Sequence, residues 1–326
     1  MKVVLAGQYP AHTAQRLRAL LPEDRFAFEA VDTPEAYGNL SDAEILILRI
    51  FNADKAVIER NPNLKMIMRW GAGYDSVDIK AAGERGILVT NTPGANAEAV
   101  SELAVMLMLA VGRQLMCYTN SVNAGMWNAN AFINSSYCLS NKLVGIVGGG
   151  NIGRRVAEKV RAFGAEAQYY DVCRLPEGLE KQVGLRYVSL DTLLRTSDIV
   201  TLHVPLFDST YHMIGAEEIR SMKDGAILIN TARGGLVDDR ALAKAVDTGK
   251  LLGAGLDVVE NAPLVINDPM LLNPKIIITP HIGGSTADIA DAIIPMLVDD
   301  IHAFAGGEMP GHVVNRQFLM LQSTTA

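Results

Sequence analysis

The chain has 326 residues, 49% of them hydrophobic, enough for about two domains with buried cores, which excludes disorder and small stapled folds. Its 36 acidic residues against 29 basic ones give a net charge of -7 with no run of lysines or arginines, so neither nucleic acid nor an anionic membrane is an expected partner. Cys117, Cys138 and Cys173 lack metal-ligand spacing and read as reduced packing residues of a cytoplasmic protein, and no other cluster suggests a metal.

The apolar start, Met1-Lys2-Val3-Val4-Leu5-Ala6-Gly7, is too short for the core of a signal peptide and suits a first buried strand. Short β-branched runs then alternate with longer helical patterns, the signature of parallel strands joined by crossover helices. Residues 3–6, 45–48, 65–69 and 87–90 predict four strands of one parallel sheet, with helices near 11–20, 54–61 and 77–85 between them. After Pro93-Gly94 a helix over 97–113 is so apolar that it must be buried nearly all round. The polar, asparagine-rich stretch 117–139 reads as an extended arm. A second strand series follows at 143–147, 167–170, 199–202, 226–230, 253–258 and 276–279, as many strands as a complete dinucleotide-binding domain requires. The last helix, 287–304, comes after that domain is full and is expected to cross back to the N-terminal part. The fold class is therefore α/β: two Rossmann-like domains on doubly wound parallel sheets, a discontinuous substrate domain (1–96 and 289–326) and a dinucleotide-binding domain (97–288).

Gly148-Gly149-Gly150-Asn151-Ile152-Gly153 ends a strand and opens a helix. Gly148 permits the tight turn, Gly150 lets the backbone approach a pyrophosphate, and Gly153 lets the helix lie close to the strand, while the helix start at Asn151 and Ile152 offers amide donors. Asp171 ends the next strand, where a carboxylate accepts both ribose hydroxyls and repels a 2′-phosphate, so NAD is expected rather than NADP. Downstream stand Thr231-Ala232-Arg233-Gly234-Gly235, Asp257 and Thr279-Pro280-His281. An arginine clamps a carboxylate and a histidine moves a proton. With the glycine loop upstream, they imply hydride transfer on a 2-hydroxy or 2-keto acid.

These segments, with Gly71-Ala72-Gly73-Tyr74-Asp75, Asn91-Thr92-Pro93-Gly94, His203-Val204-Pro205-Leu206 and Gly255-Leu256-Asp257-Val258, resemble in order the D-isomer-specific 2-hydroxyacid dehydrogenases over nearly the whole chain. The resemblance implies an NAD-dependent enzyme interconverting a small 2-keto acid and its D-2-hydroxy acid in a cleft between two domains. It also implies a homodimer held through the 97–113 helix and the arm after it. Arg233 then binds the substrate carboxylate and polarises the keto oxygen, His281 is the acid/base, and the amides of Ala72 and Gly73 hold the carboxylate. Around the cofactor the resemblance places His203, Val204, Pro205, Thr210, Thr231, Ala232, Asp257, His281 and Gly283 beside the glycine loop and Asp171. Arg69 matches an arginine that contacts the substrate phosphate in some phosphoglycerate dehydrogenases, although a surface strand arginine explains it almost as well. His203, which also ends a strand, is an alternative proton carrier.

The resemblance departs in one place. The family's usual catalytic glutamate, which pairs with the histidine, stands directly before a proline; here Ala262 precedes Pro263. Glu260 is a nearby substitute if a local bulge lets it reach. The departure leaves a rival reading, an NAD(H)-binding regulator with a vestigial active site, against which the retention of Arg233 and His281 argues.

Overall fold

The computed structural model describes residues 1–319 and divides into two compact units: Met1–Asn96 with the described residues from Thr286 onward, and Ala97–Ser285. The second boundary thus falls at Ser285 rather than at 288.

The first unit is built on β1 (Lys2–Ala6), β2 (Ala27–Val31), β3 (Ile45–Leu48), β4 (Met66–Arg69) and β5 (Leu88–Thr90), all parallel, in the order β2-β1-β3-β4-β5. Parallel strands covered on both faces are apolar throughout, and all of β3 is buried. The strand missed by the sequence reading is β2, an edge strand in which only Val31 is buried, so neither an apolar run nor a clean alternation marks it. Three of the four helices between these strands start where Thr33, Asp54 and Asp78 accept hydrogen bonds from the amides of Ala36, Val57 and Ala81. The chain returns to this unit through the helix Ile289–Ala305. Beyond it, the fully buried Asn315 accepts from the Val89 amide and donates to the Ile87 carbonyl, both at 2.9 Å, and so fastens the last segment to β5.

The second unit carries β6 (Leu143–Val147), β7 (Glu166–Tyr170), β8 (Arg186–Tyr187), β9 (Ile199–Leu202), β10 (Ala226–Asn230), β11 (Leu251–Leu256) and β12 (Ile276–Ile278). All are parallel, in the order β12-β11-β10-β9-β6-β7-β8. Strand order reverses between β6 and β9, and outside the carboxyl ends of such a pair a doubly wound sheet leaves its crevice. The two-residue β8 is too short to leave a pattern in the sequence. The helix Ala97–Gly112 lies on this sheet because β11 carries glycines beneath it: a Cβ at Gly255 would stand 2.8 Å from the Leu107 Cβ, and one at Gly253 2.8 Å from a Val111 methyl. Burial is not all round, since Glu98, Glu102 and Met106 form an exposed stripe.

The segment after it is not extended. Gln114, left-handed at φ 53°, starts a further helix, Leu115–Asn123, on which the Tyr118 hydroxyl donates to the Ala129 carbonyl and accepts from the Phe132 amide, folding the arm back on itself. Of the cysteines only Cys117 is buried; Cys138 and Cys173 are exposed, so the packing reading holds for Cys117 alone. Among the described residues no single helix is long and apolar enough to cross a membrane.

Candidate active site

The glycine loop meets its steric demands at three points. A Cβ at Gly153 would lie 2.0 Å from the Gly148 carbonyl oxygen, and one at Gly148, where φ is +104°, 2.6 Å from the His203 carbonyl oxygen. At Gly150, by contrast, a Cβ would meet nothing within 4 Å, which leaves open space over the start of the helix Asn151–Ala162. The first-turn amides there, those of Asn151 and Ile152 included, have no partner within the helix and favour an anion. Asp171 follows β7 and faces this loop: its Oδ2 accepts from the Gly149 amide at 2.8 Å and its Oδ1 from the Cys173 amide at 3.1 Å.

At the end of β9, the His203 ring is buried with its Nε2 2.9 Å from the Thr201 hydroxyl, while its Nδ1 is buried without a partner. Burial pushes this imidazole down to about 3, which disfavours the protonated form that a proton carrier needs. The Thr231 hydroxyl, just past β10, is likewise buried without a partner. Two orphaned polar atoms, His203 Nδ1 and Thr231 Oγ1, and a cradle that a Cβ would fill fit a dinucleotide. On the loop after β9, Val204 and Pro205 precede Thr210, whose hydroxyl donates to the Pro205 carbonyl (2.9 Å) and accepts from the Phe207 amide (2.8 Å), closing the turn.

Arg233 is set by the bend that ends β10. The Asn230 side chain accepts from the amide of buried Ala232 at 3.0 Å and donates to the Arg233 carbonyl at 2.8 Å. Gly234 is required next, because a Cβ there would lie 2.1 Å from the Val259 carbonyl oxygen. His281 is set by Asp257, which is 1% exposed. The Asp257 carboxylate accepts from the Thr279 hydroxyl (2.6 Å) and the amides of Ile282 (2.7 Å) and Gly283 (2.8 Å), and its carbonyl accepts from the His281 amide (2.9 Å). This wrapping forces His281 into a left-handed conformation, φ 55°, and leaves the imidazole exposed. Asp257, expected at the cofactor, thus orients the histidine turn, a task that its spacing alone did not reveal.

Arg233 and His281 line one cavity of about 580 Å³. Ala262 lines it too, and the remaining wall is largely apolar, with Val259, Pro263, Leu264 and Ile278. Glu260 is committed elsewhere: one carboxylate oxygen accepts from the Tyr211 hydroxyl and the other lies 3.0 Å from His212 Nε2, with the two rings stacked at 4.0 Å. Those two bonds hold its carboxyl below the usual range. Glu260 is therefore a clamp between the loops that follow β9 and β11, which the sequence had offered only as a substitute carboxylate.

In the first unit, Arg69 at the end of β4 donates through Nε to the Gly73 carbonyl (3.0 Å) and through Nη1 to the carbonyls of Leu48 (3.0 Å) and Arg49 (3.1 Å). It braces the loop that carries Ala72 and Gly73. That loop turns at Gly71, φ +138°, whose amide donates to the Thr92 hydroxyl, while the Ala72 carbonyl accepts from the Asn91 side chain.

Residues 105–283 match the family model of the D-isomer specific 2-hydroxyacid dehydrogenase NAD binding domain. The chain is 41% identical over 271 residues to a glyoxylate reductase of Thermococcus litoralis, covering 82% of this chain and 81% of that one. It is 41% identical over 276 residues to a hydroxypyruvate reductase of Thermotoga maritima, covering 84% and 88%. A D-lactate dehydrogenase of Aquifex aeolicus, solved with NAD and lactic acid, superimposes with a TM-score of 0.83 at 31% identity, covering 96% of this chain and 99% of that one. The regulator reading has no counterpart among these three. A glycine cradle with buried polar atoms beside it, an arginine and a histidine in one cavity, and relatives matched over most of their length agree: the chain belongs to the D-isomer-specific 2-hydroxyacid dehydrogenase family and is an NAD-dependent enzyme.

Proposed function

We propose that this enzyme interconverts a small 2-keto acid and its D-2-hydroxy acid, with glyoxylate and hydroxypyruvate as the first substrates to try. The observation that carries the reading is the single cavity holding Arg233 and His281 at the carboxyl ends of β10 and β12. When bound, NADH supplies the hydride that adds to the keto carbon. Arg233 holds the substrate carboxylate in bidentate fashion and draws electron density toward the keto oxygen. His281 gives that oxygen its proton, and in oxidation takes it back, so one keto acid, one hydride and one proton give one hydroxy acid. Asp171 accepts the ribose hydroxyls, Thr231 and His203 lie at the nicotinamide end, and Ala72 and Gly73 are carboxylate-binding amides of the first unit. The decisive experiment follows NADH absorbance across a panel of 2-keto acids; a panel in which none is reduced, with NADH bound, would sink the proposal.

The reading includes a homodimer. The helix Ala97–Gly112 and its neighbours leave an apolar groove of about 780 Å³ lined by Val105, Met106, Leu109, Leu115 and Phe163. The arm beyond it exposes Met126 and Trp127, the latter 90% exposed. A patch of that kind favours a self-complementary contact. Light scattering at micromolar concentration should give twice the chain mass; a monomer there would remove this part of the proposal.

A further inference from the structure

The turn after β7 carries a cation that is bound to a carboxylate of the same segment. Arg174 makes a two-point contact with Glu180: Nε to Oε1 at 2.8 Å and Nη2 to Oε2 at 2.9 Å. Glu180 also accepts from the Tyr169 hydroxyl at 2.6 Å, and that hydroxyl accepts from the Leu175 amide at 2.8 Å. The carboxylate is 8% exposed and the arginine side chain 59%. The guanidinium rests 5.3 Å over the Tyr187 ring. With these bonds Glu180 is held at about 2, so it stays ionised and the contact persists across the neutral range.

This cluster abuts the ribose end of the glycine loop. A Cβ at Gly149 would stand 3.0 Å from the Tyr169 ring and 3.3 Å from a Leu175 methyl, and the Gly149 amide is the one that binds Asp171. Arg174 follows Cys173, whose amide holds the other Asp171 oxygen. The other two cations between β7 and the end of β8 are engaged too: Lys181 with Glu177 at 2.6 Å and Arg186 with the Gln168 side chain at 3.1 Å. A carboxylate and a phosphate ask for the same fork of guanidinium donors, so an arginine committed to one is not offered to the other.

We propose that Glu180 is a specificity-determining residue for the cofactor: by holding Arg174 it removes the cation that a 2′-phosphate would need, so discrimination against NADP(H) is shared by Asp171 and Glu180. The inference rests on the reading of Asp171 as the ribose acceptor. It differs from that reading in assigning part of the selectivity to a residue that acts through Arg174.

The test is a mutant cycle read by equilibrium binding, using the fluorescence of the reduced nicotinamides NADH and NADPH. Wild type, Asp171→Ala, Glu180→Leu and the double variant are titrated with both. The ratio of NADPH to NADH affinity should rise in the double variant at least fivefold beyond the product of the two single effects. Adding Arg174→Met to the double variant should cancel that excess. Multiplicative single effects, or an excess that survives without Arg174, overturns the proposal. If Asp171→Ala alone leaves the ratio at its wild-type value, the ribose reading fails instead, so the two failures are told apart. Should Glu180→Leu not fold, Glu180→Gln keeps an acceptor for Tyr169 while dropping the charge. An excess of at least twofold is then expected in the double variant, and no excess overturns the proposal.

Discussion

Two ends of one sheet in the Ala97–Ser285 unit obey different constraints. Around β6 and β7 the limits are steric: a single methyl at Gly153 would sit 2.0 Å from a backbone oxygen. At position 262, in the loop after β11, they are chemical. Ala262 is exposed and lines an open cavity, so its position admits many side chains without strain and only the chemistry registers which one is present. The fold can therefore change the side chain at 262 without disturbing its glycine loop, whereas that loop cannot lose Gly148 or Gly153.

The comparison breaks most sharply at Arg233. Arg233→Lys keeps the charge and loses the fork, so keto-acid turnover should fall by about 100-fold or more. NADH affinity, set at the other end, should change by less than about threefold. Turnover within about threefold of wild type would show that another cation clamps the carboxylate. Gly153→Ala probes the steric end: the added methyl should cost roughly 1–3 kcal/mol of stability by overpacking and weaken NADH binding measurably. A variant with unchanged melting temperature and NADH affinity would mean that the helix can shift away, and that the contrast between the two ends is overdrawn.

The central strands were legible in the sequence because residues buried on both faces leave short apolar runs rich in Ile, Leu and Val, as in β3, β6 and β10. Edge strands left no such mark. β2 exposes most of its side chains, and β8 has two residues. The arm misled because its helix is held by Tyr118 bonds to backbone across a turn, which no periodicity records. The glycine loop, Arg233 and His281 could be found in the sequence because each chemistry admits few residue types. What stayed hidden were the engagements of polar groups: Asp257 with the His281 turn, Glu260 with Tyr211 and His212, Glu180 with Arg174. Each joins segments that meet only through the sheet order, and a carboxylate in a sequence does not announce its partner.

A smaller effect sharpens the steric end. Asp171 accepts two amides and should also meet the ribose, so NADH should bind at least about tenfold tighter than NADPH, about 1.4 kcal/mol. Asp171→Ala should relax that preference. Its melting temperature should fall by a few degrees, since of the two amides it satisfies that of Gly149 is buried and that of Cys173 is in an exposed turn. Equal affinities for the two cofactors in the wild type would refute the assignment.

The smallest expected effect lies at the chemical end and concerns pH. Ala262 and His281 share a cavity wall, so Ala262→Glu adds a carboxylate there. A nearby negative charge favours the protonated imidazole. Keto-acid reduction needs that form, so the falling limb of rate against pH should move upward by roughly half a unit to one unit, with NADH affinity little changed. Glu260→Gln separates this from the clamp. If Glu260 only ties loops, the limb should stay where it is, and the variant should instead lose part of the acid dependence of its stability. The sign follows from a carboxyl held below its usual range in the folded state. Such a group stabilises fully above its unfolded value, about 4.3, and its contribution is lost as pH falls toward the lower folded value. Replacing it by glutamine should therefore flatten the decline in melting temperature below about pH 4.5. A displaced rate limb in Glu260→Gln, with the stability profile unaltered, would instead make Glu260 the working partner of His281.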